Sequence, residues 1–330
     1  MYELIQVAEN TFCIESPSKI GIFRESEHEV WLIDSGNDKD AAKKILKVLH
    51  QHQWHLNAIL LTHSHADHAG GARFLREHTS CRVYAPDPEC DFVRHPLLEP
   101  SFLWGGFPCA ELRNKFPMAS GCEAEPLSTA VLPSGMEKLE LPGHFFGMTG
   151  FRTPDDVWFL ADSMIGEQIL DKYPIFFLYD AAEYLRTLER LESLTGCRFL
   201  FSHAPIQEST APLVRRNREA LHHLLRLIAE LCGEPDSREV VLKLKLSPEL
   251  PVEEGDLFHL FAENEALPCG VFSAEIIDGE WLYGRISTPL LQDFLQRKET
   301  YCARLQRSPR FYTSGAIGRL SEALAQTPPP

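Results

Sequence analysis

The sequence is missing several features, and each absence removes a class of function. No stretch of about 18 apolar residues occurs in its 330 residues, so no membrane-spanning helix is expected. The opening MYELIQVAENTFCIE has neither the basic start nor the apolar run of a secretory signal, which predicts a soluble, cytoplasmic protein. Long runs of Lys or Arg are absent too: these residues number 32 against 47 Asp and Glu, a formal charge of −15 with histidine neutral. Nucleic-acid backbones and anionic membranes are held by positive charge, so neither is expected as a partner. Nine scattered cysteines, an odd number, include no C-x-x-C pair. Reduced, mostly buried thiols are therefore expected in place of a disulfide framework or a thiolate zinc site. At 44% hydrophobic residues the chain can build a substantial core, in one large or two ordinary domains.

The pattern of residues then gives an order of elements. Short β-branched and aromatic runs, FCIES, GIFRES and EVWLIDSG, read as strands, and Ala42, Ile45, Leu46 and Leu49 mark a helix over 39–51. NAILL is an apolar strand that stops at a histidine-rich loop. A helix from Ala72 to His78 and a strand CRVYAP follow. Residues 95–126 are irregular, rich in Pro, Gly and aromatics, and predict a lid or binding element because structureless loops this long are uncommon in compact domains. Strands are expected again at MEKLELPGH, DVWFLADS and CRFLFSHAP. Between the last two, Asp180 and Glu183 resemble a capping box, opening a helix with Leu185, Leu188, Leu191 and Leu194 as its buried stripe. After Pro205 the texture changes to a long helix over 211–231, with Leu221, Leu224, Leu225 and Ile228 on one face. An alternating strand REVVLKLKL, a hairpin turning on Asp278-Gly279 and a final helix from Pro289 complete an appended domain.

The chemistry concentrates in Thr62-His63-Ser64-His65-Ala66-Asp67-His68, three imidazoles and a carboxylate in six positions. Residues two apart on a helix face opposite ways, so this spacing suits a loop wrapped around a metal. Imidazole with carboxylate fits Zn²⁺, Fe or Mn²⁺, and the lack of thiolate favours an open, hydrolytic site. Gly70-Gly71 supplies small residues where the chain turns beneath it.

T-H-S-H-A-D-H-A-G-G resembles the H-x-H-x-D-H signature of the metallo-β-lactamase fold superfamily, and four further elements of that family follow its order: Asp34 in LIDSG, His144 in LPGH, Asp162 in FLADS and His203 in FSH. The resemblance covers roughly residues 5–205. It implies an α/β fold, a four-layer αββα sandwich over 1–205, with a C-terminal α+β accessory domain over 206–330. It also implies that His63, His65 and His144 hold one metal, that Asp67, His68 and His203 hold a second, that Asp162 bridges them, and that Asp34 supports a ligand histidine from behind. The family's Thr-Pro after the PGH element is replaced here by Phe145-Phe146, and Ala161 and Ser202 stand where glycine is usual. Neither change removes a ligand.

Two divalent ions a few Å apart make a hydroxide available near neutral pH and polarise a substrate oxygen. The resemblance thus implies a dinuclear metallo-hydrolase in which a bridging hydroxide attacks an ester, thioester or lactone of a small molecule and Asp67 moves the proton. The expected cofactors are two divalent metal ions, Zn foremost, with Fe or Mn as alternatives. Iron-dependent oxidoreductases on this fold, and metallo-phosphodiesterases or nucleases, are the rival readings. The lack of a flavin module and the acidic balance count against them. A glyoxalase II-like or lactonase-like enzyme is the expectation, with a homodimer as its candidate assembly. Phe145, Phe146, Trp104, Phe107 and Tyr173 are the candidate substrate wall, with plain core packing as the alternative for each. His50, His52 and His55, and the adjacent His222 and His223, read as solvated surface.

Overall fold

The computed structural model describes residues 2–103, 106–108, 112–173, 176–232, 271–277 and 280–286, with backbone path alone for 226–232 and the last two segments. The expected REVVLKLKL strand, the final helix, Trp104 and the Asp278-Gly279 turn lie outside the described residues. Two compact units are present. One comprises Met1–Pro100, Cys109–Ile169 and Glu183–Arg218; the other takes Ser101–Pro108, Leu170–Ala182 and the described residues from Glu219 on.

A seven-stranded sheet runs in sequence order: β1 (Glu3–Gln6), β2 (Thr11–Glu15), β3 (Ile20–Arg24), β4 (Glu29–Ile33), β5 (His55–Leu60), β6 (Arg82–Ala85) and β7 (Glu125–Pro126). Pairing is antiparallel from β1 to β4 and parallel from β4 to β7. The switch follows from the connections: hairpins join the first strands, while α1 (Lys39–Gln51) carries the chain from β4 back to the start of β5. The carboxylate of Asp38 caps α1, accepting the N–H groups of Asp40 and Ala41. After β5 come α2 (Ala66–Ala69) and α3 (Ala72–Thr79), and after β6 come α4 (Cys90–Arg94) and α5 (Leu98–Leu103).

The second sheet has the order β11-β10-β9-β8, from β8 (Glu137–Glu140), β9 (Thr149–Arg152), β10 (Val157–Phe159) and β11 (Arg198–Leu200). Helix α6 (Glu167–Lys172) and helix α7 (Ala181–Glu192) lie between β10 and β11 in the chain. The period of two sets the layers. Ile14, Ile22 and Leu32 of the first sheet pack with Ala42, Ile45, Leu49 and Leu75 of α1 and α3. On the other face, Cys13, Phe23, Trp31, Ile33 and Leu60 meet Phe151, Val157, Phe159 and Leu200 of the second sheet. Helix α7 buries Tyr184, Leu188 and Leu191, so its stripe is set by Tyr184, and Leu185 and Leu194 are only half-buried. The result is the expected αββα layering.

Helix α8 (Ala211–Cys232) matches the expected long helix, with Leu221 and Leu224 buried, Leu225 half-buried and His222 and His223 exposed. Strands β12 (Val271–Ile277) and β13 (Glu280–Ile286) pair antiparallel across a two-residue connection. The sequence reading missed β1, β7, β9, α4, α5 and α6, all short, and α5 stands inside the segment expected to be irregular. The five described cysteines are unpaired, and all but Cys197 are buried. Among the described residues no helix is long and apolar enough to cross a membrane.

Candidate metal centre

Parallel pairing places the C-terminal ends of β4 and β5 side by side, and both deliver site residues. Just beyond β4, Asp34 sits at φ 66°, a left-handed conformation that Asx residues tolerate. Its Oδ1 accepts the Thr62 N–H at 2.8 Å, and its Oδ2 lies 2.7 Å from His68 Nδ1. Beyond β5 the chain runs as a loop through His63 and His65. It then makes the single turn α2, so Asp67 and His68 stand on a short helix and not on the all-loop arrangement expected from the spacing. Gly70 and Gly71 are required by close approach: a Cβ at Gly70 would lie 2.2 Å from Asn37 O, and one at Gly71 2.1 Å from Ser35 O.

The second sheet supplies the remaining donors, from loops at the ends of β8, β10 and β11. His144 follows Gly143, which adopts φ 125° and packs against the Tyr184 backbone. Asp162 follows Ala161, held at φ 49°. That left-handed conformation is one glycine takes without strain and alanine does not. His203 lies just past β11, and its Nδ1 is 2.9 Å from Pro17 O.

All seven expected donors converge. They form two groups, His63, His65 and His144 in one and Asp67, His68, Asp162 and His203 in the other, with one donor atom from each residue within 4.8 Å of its partners. Asp162 Oδ2 stands between them, at 4.0 Å from His63 Nε2, 3.6 Å from His144 Nε2, 3.4 Å from His68 Nε2 and 3.7 Å from His203 Nε2. His65 Nδ1 is 3.1 Å from His144 Nε2. Nε2 of His63 is buried with no hydrogen-bond partner among the described residues, as suits an atom meant for a cation. Asp67 and His203 are the most open of the seven, and His63 and His68 are fully enclosed.

Burial and the other imidazoles hold His63 and His144 below the ordinary histidine range, and burial with the neighbouring His144 takes His65 down to about 3. Three neutral imidazoles are what a metal requires of nitrogen ligands. The second group has the opposite balance. Burial disfavours charge on His68, yet Asp67, Asp34 and Asp162 outweigh it and raise it well above its usual value. Burial likewise opposes ionisation of Asp67 and Asp162, and the surrounding histidines overcome it, lowering both. The field there favours positive charge. Donor types and field together fit divalent cations.

Several residues around the site were not legible in the sequence. Glu89, at the end of a 3₁₀ turn over Asp87–Glu89, is fully buried. Its Oε2 accepts the Ser64 N–H at 2.6 Å and its Oε1 the Gly147 N–H at 2.7 Å, joining the loops that carry His63, His65 and His144. Burial pushes its carboxyl up to about 7 against those two donors. Ser18 donates to Asp67 Oδ2 at 2.6 Å. The buried amide of Asn217 bonds Ile165 N–H, Ile165 C=O and Tyr184 Oη, fixing the loop after Asp162. Glu99, buried within the irregular 95–126 segment, has Oε1 3.9 Å from His65 Nε2. Of the expected aromatic wall, Phe145 is fully buried with its ring 4.4 Å from that of His65, backed by Phe92 and Phe146. Phe107 and Tyr173 are exposed.

A sequence model of the metallo-beta-lactamase superfamily matches residues 16–145. The match covers this segment alone, under half of the chain. Curated relatives are named hydroxyacylglutathione hydrolase: one from Marinomonas sp. (strain MWYL1) is 38% identical over 68 residues, 21% of this chain and 25% of the relative. Another, from Shewanella loihica, is 31% identical over 149 residues, 42% and 48% of the two chains. The chain thus spans a quarter to about half the length of these relatives. Among solved structures, a metallo-beta-lactamase family protein from Thermus thermophilus superposes with a TM-score of 0.57 at 20% identity, covering 86% of this chain and 98% of that one. MEM-A1, a subclass B3 metallo-beta-lactamase from a soil metagenome library, gives 0.53 at 16% identity, covering 70% and 98%. At these identities the likeness is one of fold: the metallo-beta-lactamase sandwich is common to all three.

Proposed function

We propose that this chain is a dinuclear metal-dependent hydrolase acting on a thioester or related ester of a small molecule, with its catalytic domain over residues 1–205 and an accessory domain over 206–330. The observation that carries the reading is the convergence of two donor groups on one oxygen, Asp162 Oδ2. His63, His65 and His144 would hold one ion, Asp67, His68 and His203 the other, and Asp162 both. Two divalent ions, zinc foremost, supply a hydroxide nucleophile near neutral pH and polarise the substrate carbonyl. The thioester assignment draws on the relatives' name, hydroxyacylglutathione hydrolase.

The chain's own residues divide the remaining work. Asp67 and His203 are the donors that reach solvent, so the substrate enters on their side. Asp67, held ionised by His68 and His203 and oriented by Ser18, accepts the proton lost by the attacking water and returns it to the departing sulfur or oxygen. Elemental analysis of the purified full chain, with a panel of thioester, lactone and phosphodiester substrates, tests the reading. About two ions per chain and chelator-sensitive thioester turnover are expected; folded protein that takes up no metal overturns it.

A further inference from the structure

We propose that Glu99 is a positioning residue for His65: its carboxylate orients the imidazole from the ring nitrogen opposite the metal-facing one. The proposal rests on the metal reading above. His65 turns Nδ1 towards the centre, where it meets His144 Nε2 at 3.1 Å. An imidazole that offers Nδ1 to a metal carries its hydrogen on Nε2, and Nε2 is the atom that faces Glu99 Oε1 at 3.9 Å. At that separation the pair is an ion-pair contact, longer than a hydrogen bond. Glu99 is 4% exposed, and burying a carboxylate costs free energy unless something answers it. The N–H of a metal-bound imidazole is a strong answer, and the contact in turn makes the ring a better ligand.

The rest of the centre repeats the arrangement. His68 presents Nδ1 to the buried Asp34 at 2.7 Å, and His203 presents Nδ1 to Pro17 O at 2.9 Å. Asp34 and Glu99 thus stand behind one imidazole in each donor group. They come from different sources: Asp34 from the end of β4, Glu99 from helix α5 within the irregular 95–126 segment. That segment contributes directly to the centre through this carboxylate.

The test is a titration of the full chain with Co²⁺, read by visible absorption and by competition with a chromophoric chelator, on the parent, Glu99→Gln and Glu99→Ala. About a 10- to 100-fold weaker affinity is expected for Glu99→Ala at one of the two ions, with an altered ligand-field spectrum, and a smaller loss for Glu99→Gln. Affinity at the other ion is expected to stay within about threefold of the parent. A carboxylate that serves packing alone would shift the melting temperature of the metal-free protein and leave the affinities and spectrum in place, and that result overturns the proposal. If Glu99→Ala does not fold, Glu99→Gln decides, and parental affinity in that variant overturns the proposal equally. A parent chain that binds no Co²⁺ overturns the metal reading itself.

Discussion

Nδ1 of His68 lies 2.7 Å from Oδ2 of Asp34, a buried pair joining the ends of two parallel strands. The other oxygen of Asp34 accepts the Thr62 N–H, so one carboxylate fixes both the backbone and an imidazole of the metal loop. Asp34→Asn keeps the size and tolerates the left-handed backbone, but turns an N–H towards one of two donors. Metal affinity at the Asp67, His68 and His203 group should fall about 10- to 100-fold, measurable by calorimetric titration of the metal-free chain.

Glu89 makes a second tie between separate parts of the chain. Removing its carboxylate leaves the N–H groups of Ser64 and Gly147 without their acceptor inside the protein. Each charged hydrogen bond is worth roughly 1.5–3 kcal/mol, so Glu89→Ala should lose at least about 3 kcal/mol. Urea unfolding of the metal-free variant checks this, and a change under about 1 kcal/mol would show that water replaces the carboxylate.

Two positions of positive φ should respond in opposite directions. An alanine at Gly143 would put its Cβ 2.4 Å from Tyr184 N, so the backbone beside His144 must move, at a cost of about 2 kcal/mol or more. At Ala161 the strain is already present. Ala161→Gly relieves roughly 1–2 kcal/mol and gives back about 0.5–1 kcal/mol in unfolded-state entropy, leaving a net gain of about 0–1.5 kcal/mol. Thermal denaturation of the two variants side by side reads both signs.

Metal should act as a folding ligand, because its donors meet only in the native state. At a free concentration about a thousandfold above its dissociation constant, one ion adds about 4 kcal/mol. Stripping with a chelator should therefore lower the melting temperature by several degrees, and adding back Zn²⁺ should restore it. No shift on stripping would mean that the donors do not hold the ion.

Asp67→Ala should reduce kcat by about 10²-fold or more without loss of secondary structure. Metal analysis of the same preparation separates its two roles. If both ions stay and turnover falls, the loss belongs to proton transfer; if turnover stays at the parental rate, Asp67 has neither role.

Much of this was legible in the sequence because the informative residues sit at the ends of short apolar runs. His63, Asp162 and His203 each follow a strand, and the order of those strands along the chain carried the seven donors. Helix α1 was readable to the residue from its apolar positions, and in the structure the Asp38 cap fixes the same start. The supporting residues were not readable. Glu89, Glu99 and Asn217 are polar side chains in unremarkable local contexts; both partners of Glu89 lie 25 and 58 residues away, and Asn217 reaches Ile165 and Tyr184 52 and 33 residues away, beyond any periodic signal. Tyr184 is masked by the leucines around it because a leucine stripe looks complete by itself, whereas the Asn217 amide that Tyr184 reaches appears only once the chain is folded.

The superfamily match ends at residue 145, just past His144. A chain cut there would keep all three donors of one group but only Asp67 and His68 of the other, since Asp162 and His203 come later. The two donor groups are therefore unequal in what they demand of the polypeptide. One is complete within the matched segment, and the other requires the rest of the sandwich.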